Sequence, residues 1–405
     1  MERLLKKYAD KLVAAGLASR EGPGRVLMAG LDDALVWNIP AEPGALEEAR
    51  RATLEAVFAG LNINSLCYAA PAEPYRSIIG FLAARSAASG GVIQPQDCET
   101  RTFLHDLPVV GSFSSQAIVA ALKRRKTVIV HDPAADGPVI VTSGTVSPEQ
   151  AFVFFSSVCF ACFVKFFVDY LHAAQQVSVD REAEAVFKRV RGLLPPLASA
   201  PPELARAPFS TPAQVLAALC EAGRQTVAYG LVDSYFGNIS YLHEGTLYIS
   251  QTGSSLDELE GHIDPCPLDD SSTAGITASS ELSAHVATLG RTGMRALLHG
   301  HPRFSVILSM DCAQTDCARR GECHIRCPEK RVVCGTPVAP GEVGTGPYGL
   351  CHTLPEAMGQ GDAAIIYGHG LFTAARDDFN AAFARLLGVE AACREEYFRR
   401  VNSAG

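Results

Sequence analysis

A proline-rich segment near the midpoint divides this 405-residue chain into two long halves. The segment covers residues 178–209 and includes a helical pattern over Arg181–Leu194. Proline-rich connections are extended and semi-rigid, so this one separates the halves rather than joining them in one core. Each half is long enough to bury a core of its own. We therefore predict domains at residues 1–177 and 210–405, with residues 178–209 as a helical linker.

The second half mixes helical and extended patterns without the regular strand–helix–strand alternation of nucleotide-binding folds. Met294–Gly300 and Ala363–Gly368 are predicted strands, and an amphipathic helix is expected over about Asp377–Val401. No glycine-rich phosphate fingerprint follows a strand. These patterns predict an α/β fold, a three-layer α/β/α sandwich around a mainly antiparallel sheet.

Composition argues against several classes of function. The formal net charge of −8, with no basic run, argues against nucleic-acid binding. Ala151–Leu171 approaches the length of a membrane span, but Lys165 and Asp169 interrupt it, and we predict burial in a domain or subunit interface. The first 20 residues lack the pattern of a signal peptide, and 13 cysteines, an odd number, argue against a disulfide scaffold. We expect a cytoplasmic protein without a membrane partner.

Three histidines of the second half have the spacing of a metal site. His299 and His301 are one residue apart on a predicted strand and project to the same side, so one cation can accept both imidazoles. His369 follows a later strand. A zinc ion with three protein ligands keeps a fourth position open for substrate, which distinguishes catalytic from structural sites. Isolated His-x-His pairs are more often core or surface residues, so the prediction depends on the surrounding motifs.

Several motifs accompany these histidines in a fixed order. They are Gly237-Asn238-Ile239-Ser240, Ser250-Gln251-Thr252-Gly253, Ala278-Ser279-Ser280-Glu281, His299-Gly300-His301-Pro302 and Gly368-His369-Gly370. With them, residues about 210–401 resemble the class II aldolase/adducin family, which contains fuculose-phosphate aldolase, rhamnulose-phosphate aldolase and ribulose-phosphate 4-epimerase. The resemblance implies one catalytic zinc ion and a small sugar-phosphate-like substrate.

The resemblance also assigns roles to individual residues. The zinc ligands would be His299, His301 and His369, with Glu281 as the acid/base carboxylate beside the metal. The phosphate pocket would consist of Asn238, Thr252, Gly253, Ser279 and Ser280. Glutamate at position 281 favours the aldolases, because the family's epimerases have aspartate there.

General chemistry supports a catalytic role for Glu281. Breaking a carbon–carbon bond next to a carbonyl leaves negative charge on an enediolate, which zinc can stabilise while a carboxyl group transfers the proton. Desolvation would raise the pKa of this carboxyl from ~4.3 toward neutrality. The alternative is that Glu281, Ser279 and Ser280 only cap the following helix and complement its dipole.

The chain departs from the family pattern in two places. The family aldolase has a tyrosine proton donor in the segment that corresponds to residues 338–349, where Tyr348 or Glu342 could substitute. A cysteine-rich segment follows residue 311, and its thiols could hold a second, structural zinc ion or an iron–sulfur cluster, although paired C-x2-C spacing is missing. The candidate ligands of this second metal are Cys312, Cys317, Cys323 and Cys327. Reduced thiols in a loop are the alternative.

Segments of the first half recur in the second half in the same order. The pairs are Pro74–Ile79 with Pro302–Ile307, Cys98–Arg101 with Pro328–Arg331, and Thr127–His131 with Ala363–His369. On this register Pro71 and Glu73 replace His299 and His301. The first half is therefore predicted to be a degenerate copy that lacks the zinc ligands, with chance similarity as the alternative.

We predict a zinc-dependent class II aldolase-type lyase that cleaves a small hydroxy-carbonyl compound through an enediolate. A related epimerase or decarboxylase, or a non-catalytic adducin-like binding or assembly protein, are the alternatives. Because the resembling aldolases are fourfold assemblies with active sites between subunits, we also expect a homo-oligomer, a dimer of tandem chains or larger.

Overall fold

The computed structural model of the chain describes residues 1–22, 24–233, 235–269, 271–314, 316–342, 344–359 and 361–404. The chain forms two compact units, Met1–Ala173 with Ser178–Pro195 and Ala174–Val177 with Pro196–Gly405. The predicted helix at the midpoint is present at Arg181–Leu193, but it belongs to the first unit and not to a separate linker. Its apolar face explains this, because Phe187 and Val190 are buried.

The first unit contains seven helices and seven strands among its described residues. The helices are α1 (Glu2–Ala14), α2 (Ala45–Ala59), α3 (Tyr75–Arg85), α4 (Cys98–Leu104), α5 (Ser115–Leu122), α6 (Pro148–Gln175) and α7 (Arg181–Leu193). The strands are β1 (Leu27–Leu31), β2 (Leu35–Trp37), β3 (Ser65–Ala69), β4 (Val92–Ile93), β5 (Leu107–Val110), β6 (Thr127–Val130) and β7 (Val139–Gly144). They form one sheet in the order β2-β1-β3-β7-β6-β5-β4, in which β5 and β6 are parallel and the other described pairs antiparallel.

Helix α6 is long and apolar enough by composition to cross a membrane, but 89% of its most apolar window is buried inside the structure. Phe163 stacks on Phe167 and contacts Tyr75 of α3, and Phe152 contacts Tyr8 of α1. Buried residues of helices α2 and α5 form a hydrophobic core with the strands of the sheet. The predicted burial of this segment is confirmed.

The second unit holds all the candidate site residues. Its helices are α8 (Pro212–Ala228), α9 (Leu282–Thr292), α10 (Arg303–Met310), α11 (Leu350–Met358) and α12 (Phe379–Ala404). Its strands are β8 (Asn238–His243), β9 (Thr246–Ser250), β10 (Ile263–Pro267), β11 (Ala296–Gly300), β12 (Arg331–Val333), β13 (Thr336–Ala339), β14 (Ala363–Ile366) and β15 (Gly370–Ala375). The sheet order is β10-β9-β8-β11-β15-β14-β13-β12, with β13 and β14 parallel and the other described neighbours antiparallel.

Helices cover both faces of this sheet. Buried residues of α9 and α11 form one core with the strands, including Leu289, Leu354 and Phe372. Helices α8, α10 and α12 pack against the sheet without contributing to that core. The predicted mixed α/β fold with a mainly antiparallel sheet between helices is confirmed.

The two sheets share one strand order. Read from one edge, β4-β5-β6-β7-β3-β1-β2 corresponds strand by strand to β12-β13-β14-β15-β11-β8-β9, and the parallel pair has the same place in both. Pro74 and Pro302 each precede the helix that follows the corresponding strands β3 and β11. The match of Cys98–Arg101 with Pro328–Arg331 is wrong, because Cys98 begins a helix and Arg331 begins a strand.

Candidate metal centre

The end of β11 is the centre of the site. In the sheet register, His299 lies opposite Asn238 of β8 on one side and Phe372 of β15 on the other. Directly paired residues point to the same face of a sheet, so these three side chains share a face, the one that α9 and α11 cover. His301 follows two residues later, and a period of two keeps it on the same side. The strand end therefore presents two imidazoles to one place.

His369 lies in the turn between β14 and β15, so it follows the predicted strand as expected. Three hydrogen bonds hold the turn, from the N–H of Tyr367 to Ala339 O at 2.9 Å, from the N–H of Gly368 to Ser309 Oγ at 2.8 Å and from the N–H of His369 to Ile366 O at 3.0 Å. The third imidazole thus depends on the antiparallel pairing of β15 with both β14 and β11.

The three imidazoles converge. One ring nitrogen from each of His299, His301 and His369 lies within 4.8 Å of the others, and the Nε2 atoms of His299 and His301 are 3.0 Å apart. All three side chains are buried. Phe372 stacks on His299 at a ring-centroid distance of 3.8 Å, and Phe236 stacks on His301 at 5.4 Å. These stacking contacts fix the planes of the His299 and His301 rings, and with them the directions in which the ring nitrogens point.

The hydrogen bond made by Nδ1 of His299 determines which ring nitrogen carries the proton. Its Nδ1–H donates to the carbonyl oxygen of Leu371 at 3.3 Å, which leaves the lone pair of Nε2 directed at the cluster. Burial lowers the pKa of His299 and of His301 well below the ordinary value, and the neighbouring imidazoles lower it further. Burial also lowers the pKa of His369, although Glu281 opposes the change. The rings are therefore neutral, the form that binds a cation.

Glu281 faces the histidines. It occupies the N-cap position of α9, yet its side chain makes no capping hydrogen bond, so the helix-capping alternative does not describe it. Its Oε2 lies 3.7 Å from His299 Nε2, and its Oε1 lies 3.6 Å from His369 Nε2. The side chain is 4% exposed. A carboxylate and three imidazoles thus meet in a dry pocket.

The three imidazoles fit a zinc ion, with the carboxylate of Glu281 beside them. In a tetrahedral site with zinc–ligand distances of ~2.0–2.1 Å, neighbouring ligand atoms are about 3.3 Å apart. The 3.0 Å separation between His299 Nε2 and His301 Nε2 is close to that value, and the two carboxylate oxygens of Glu281 lie 3.6 and 3.7 Å from the Nε2 atoms of His369 and His299. Imidazole nitrogen and carboxylate oxygen are common zinc ligands.

Two further residues, His285 and Ser240, belong to the site although the sequence motifs did not single them out for a role. Asn238 Nδ2 donates to Glu281 Oε2 at 2.6 Å, and Asn238 Oδ1 lies 2.5 Å from His285 Nε2. His285 Nδ1 lies 2.7 Å from Ser240 Oγ. The spacing of four residues between Glu281 and His285 on one helix was the available signal. Asn238 therefore contacts the carboxylate, whereas the resemblance placed it in the phosphate pocket.

The other residues of the predicted phosphate pocket lie together. An isolated bridge joins Gln251 to Ala278, and Thr252 N–H donates to Thr277 O at 3.0 Å. The turn Thr252-Gly253 is thereby held against the segment that precedes α9, which contains the remaining pocket residues, Ser279 and Ser280. Thr252, Gly253 and Ser280 are exposed, whereas Ser279 is buried. Exposed hydroxyl and amide groups at a helix start can bind an anion.

The described contacts of Tyr348, the predicted proton donor, are made outside the metal centre. The side chain is 41% exposed, and its hydroxyl accepts a hydrogen bond from Arg326 at 3.3 Å. The structure gives it no contact with the histidines or Glu281 among the residues that it describes. A proton-donor role for Tyr348 stays a prediction.

The cysteines of the possible second metal site are not gathered around one point among the described residues. Cys312, Cys317, Cys323 and Cys327 are all free thiols. In the described part of the chain, the histidine cluster is the one group of three or more His, Cys, Asp or Glu residues whose ligand atoms are close enough for an ion. The Sγ atoms of Cys317 and Cys323 instead contact the backbone of Arg319. A structural zinc ion or iron–sulfur cluster at these cysteines is not supported.

Residues 217–397 match the family model described as Class II Aldolase and Adducin N-terminal domain. The second half carries a class II aldolase/adducin domain. This confirms the resemblance that the motifs indicated, and every candidate residue from Asn238 to His369 lies within the matched range. A comparison with curated proteins finds no match.

The solved structures to which this chain is similar include the following three. L-fuculose-1-phosphate aldolase from Thermus thermophilus is 24% identical over 48% of this chain and 98% of its own, with a TM-score of 0.39. YgbL from Escherichia coli, a proposed aldolase, epimerase or decarboxylase, is 18% identical over 46% of this chain and 89% of its own, with a TM-score of 0.38. A sugar-phosphate aldolase from Thermotoga maritima is 18% identical over 47% and 96%, with a TM-score of 0.34. The assignment of the aldolase/adducin domain rests on the family match.

Proposed function

We propose that the class II aldolase/adducin domain is a zinc-dependent lyase that reversibly cleaves a small hydroxy-carbonyl compound of the sugar-phosphate class. The observation that carries the proposal is the convergence of three buried, neutral imidazoles with the carboxylate of Glu281. A binding or assembly protein does not need four buried ionisable groups at one point, since their desolvation is unfavourable unless an ion or a reaction compensates for it. An adducin-like scaffold role is the weaker alternative for that reason.

The ligands proposed for zinc are His299, His301 and His369. When bound, the ion would supply the positive charge that stabilises an enediolate. In cleavage, the bond between the α and β carbons breaks, the aldehyde fragment leaves, and the electron pair stays on the carbonyl-bearing fragment. Glu281 in its protonated form then delivers a proton to that carbon, and in condensation the ionised form removes the same proton. The hydrogen bond from Asn238 to Oε2 favours Oε1 as the atom that carries the proton.

The substrate's far end is proposed to contact the turn Thr252-Gly253 and Ser279-Ser280. Thr252 and Ser279 use their backbone N–H groups within the fold, so the groups proposed to reach a phosphate are the N–H groups of Gly253 and Ser280 and the exposed hydroxyl of Ser280. In cleavage the β-hydroxyl loses its proton as it becomes the aldehyde, and in condensation the aldehyde oxygen receives a proton, the donor role for which Tyr348 remains the prediction.

The first unit is proposed to be a degenerate copy without a metal site. The shared strand order supports this, and so does a substitution at one position. Glu73 stands where the second unit has His301, and it accepts hydrogen bonds from the N–H and Oγ of Ser77 at 3.2 and 2.9 Å. In the second unit the equivalent Ser305 donates the same two hydrogen bonds to Glu390. A helix-capping glutamate has therefore taken the place of a metal ligand. We further propose a cytoplasmic homo-oligomer.

The test combines metal analysis with a reaction screen. We expect one equivalent of zinc in the parent, none in His299→Ala, and one in His243→Asn, a control at a buried histidine of β8 outside the cluster. Condensation of aldehydes with dihydroxyacetone phosphate should occur in the parent, and Glu281→Gln should lower kcat by about 10²–10⁴-fold while zinc stays bound.

The screen also separates the alternatives. Epimer formation or release of carbon dioxide without condensation would replace the lyase by a related enolate-forming enzyme. A parent that binds zinc but converts no substrate, with binding properties that Glu281→Gln and His301→Ala leave unchanged, would favour the scaffold.

A further inference from the structure

A linear series of hydrogen bonds, here called the hydrogen-bond chain, connects strand β8 to helix α9 behind the metal centre. Asn238 and Ser240 are two residues apart on β8, so they point to the same face of the sheet. Glu281 and His285 are four residues apart at the start of α9, so they lie on one side of the helix. The two pairs face each other, and three contacts of 2.6, 2.5 and 2.7 Å run in sequence from Glu281 through Asn238 and His285 to Ser240.

The direction of each hydrogen bond follows from the carboxylate. An ionised carboxylate accepts only, so the amide nitrogen of Asn238 must face Glu281 Oε2 and the amide oxygen must face His285. An amide oxygen also accepts only, so His285 carries its proton on Nε2. Its Nδ1 is then an acceptor, to which Ser240 donates its hydroxyl proton. The charge on Glu281 thereby determines the tautomer of an imidazole two hydrogen bonds away.

Burial makes the hydrogen-bond chain sensitive to the loss of any one of its side chains. His285 and Ser240 are 0% exposed, and Asn238 is 7% exposed. Burial lowers the pKa of His285 to about 3, so the ring stays neutral at physiological pH. Phe372 places its ring 5.9 Å from that of His285 at an angle of 71°, while it stacks on His299. A buried polar group that loses its partner costs about 1–3 kcal/mol, so each member is held in place by the others.

We propose that His285 is a positioning residue for Glu281, acting through Asn238 and supported by Ser240. The hydrogen-bond chain holds the carboxylate of Glu281 at the metal centre in the orientation that proton transfer by this group needs. This inference rests on the proposed function only in its kinetic consequence, because the hydrogen-bond chain itself can be measured without substrate.

The kinetic test is a double-mutant cycle. His285→Phe keeps an aromatic ring but removes both nitrogens, and we expect kcat to fall by about 10–100-fold with one equivalent of zinc retained. In a Glu281→Gln background, the same substitution should change kcat by less than about twofold, because a positioning residue acts only through the group that it positions. Ser240→Ala should give a smaller loss. Thr288→Val serves as the control, since it alters a fully buried side chain on the same helix whose hydroxyl has no hydrogen-bond partner among the described residues.

Equal losses from His285→Phe in both backgrounds would overturn the proposal and leave His285 with a structural role. Unchanged kcat in His285→Phe with normal zinc content would overturn it as well.

The spectroscopic test uses protein labelled with ¹⁵N at histidine and loaded with zinc. The resonance that disappears in His285→Phe should show a protonated Nε2 and an unprotonated Nδ1 throughout the neutral pH range, and Glu281→Leu should shift it through Asn238. A proton on Nδ1, or no response to Glu281→Leu, would overturn the proposal. If the parent has no lyase activity but both spectroscopic results are as expected, the proposed function fails and the hydrogen-bond chain stands.

Discussion

Gly370 is the position where a single methyl group should destroy the metal centre. It is the first residue of β15 and lies directly after His369. A Cβ atom on Gly370 would lie 2.5 Å from Gly300 O, 2.6 Å from Cε1 of His299 and 3.0 Å from Cδ2 of His301. Unstrained contacts between carbon atoms are about 3.5–4.0 Å long, so the ring of His299 would have to move by about 1 Å. A metal site tolerates deviations of about 0.2 Å in its ligand distances.

We therefore expect Gly370→Ala to lower zinc affinity by at least about 100-fold, which corresponds to about 2.7 kcal/mol. Because Gly300 O belongs to the backbone of β11, part of the strain cannot be relieved by side-chain rotation. Overpacking of this kind costs about 1–3 kcal/mol, so the metal-free protein should also lose stability within that range.

The assay is competition for zinc with a chromophoric chelator, together with urea unfolding in the presence of a chelator. Gly388→Ala is the matched control, because Gly388 lies inside α12 and a Cβ there would meet nothing within 4 Å. It should keep zinc affinity and raise stability by about 0.5–1 kcal/mol, as expected for glycine to alanine in a helix. If Gly370→Ala binds zinc as tightly as the parent, the packing argument is refuted.

Further expectations concern the metal, pH and assembly. Removing zinc should lower the free energy of unfolding by about 2.7 kcal/mol relative to protein in free zinc at 100 times its Kd, and an unchanged unfolding curve would mean that no ion binds the folded state. Burial raises the pKa of Asp97 to about 6 in the folded protein, above its unfolded value of ~3.9, so the folded state binds more protons and stability should fall as pH rises from about 4 to about 6. Asp97→Asn, which can still cap α4, should remove this fall, and a slope that persists in urea titrations at both pH values would contradict it. Replacing Cys312 and Cys317 with serine should leave one zinc equivalent, whereas loss of a second equivalent by metal analysis would restore the second metal site. Light scattering should give a dimer of chains or larger, and an active monomer would reject the assembly.

The sequence was informative where the chemistry is local. A period of two placed the imidazoles of His299 and His301 on one side at the end of β11, and the amphipathic pattern predicted α12 to within three residues at either end. The helix Arg181–Leu193 was recognised from its pattern as well. Its membership of the first unit was missed, because an apolar helix face shows that a partner exists but not which partner.

The cysteine-rich segment is a second case in which a sequence pattern did not determine the tertiary arrangement. Four thiols between Cys312 and Cys327 suggested a metal site, yet the spacing of ligands along a chain does not determine whether they point to one centre. Cys317 and Cys323 instead contact the backbone of Arg319.

By itself, the sequence determined the residue types and their short-range order: the pair of histidines on one strand face, the glutamate at a helix start, and the motifs that identify the family. Only the tertiary structure decided that Asn238 lies opposite His299 and that His285 reaches back to both Asn238 and Ser240. The physical reason is strand register. A slip of one residue between β8 and β11 would move the paired side chains to opposite faces, and it is the packing of the whole sheet against α9 and α11 that selects the register observed.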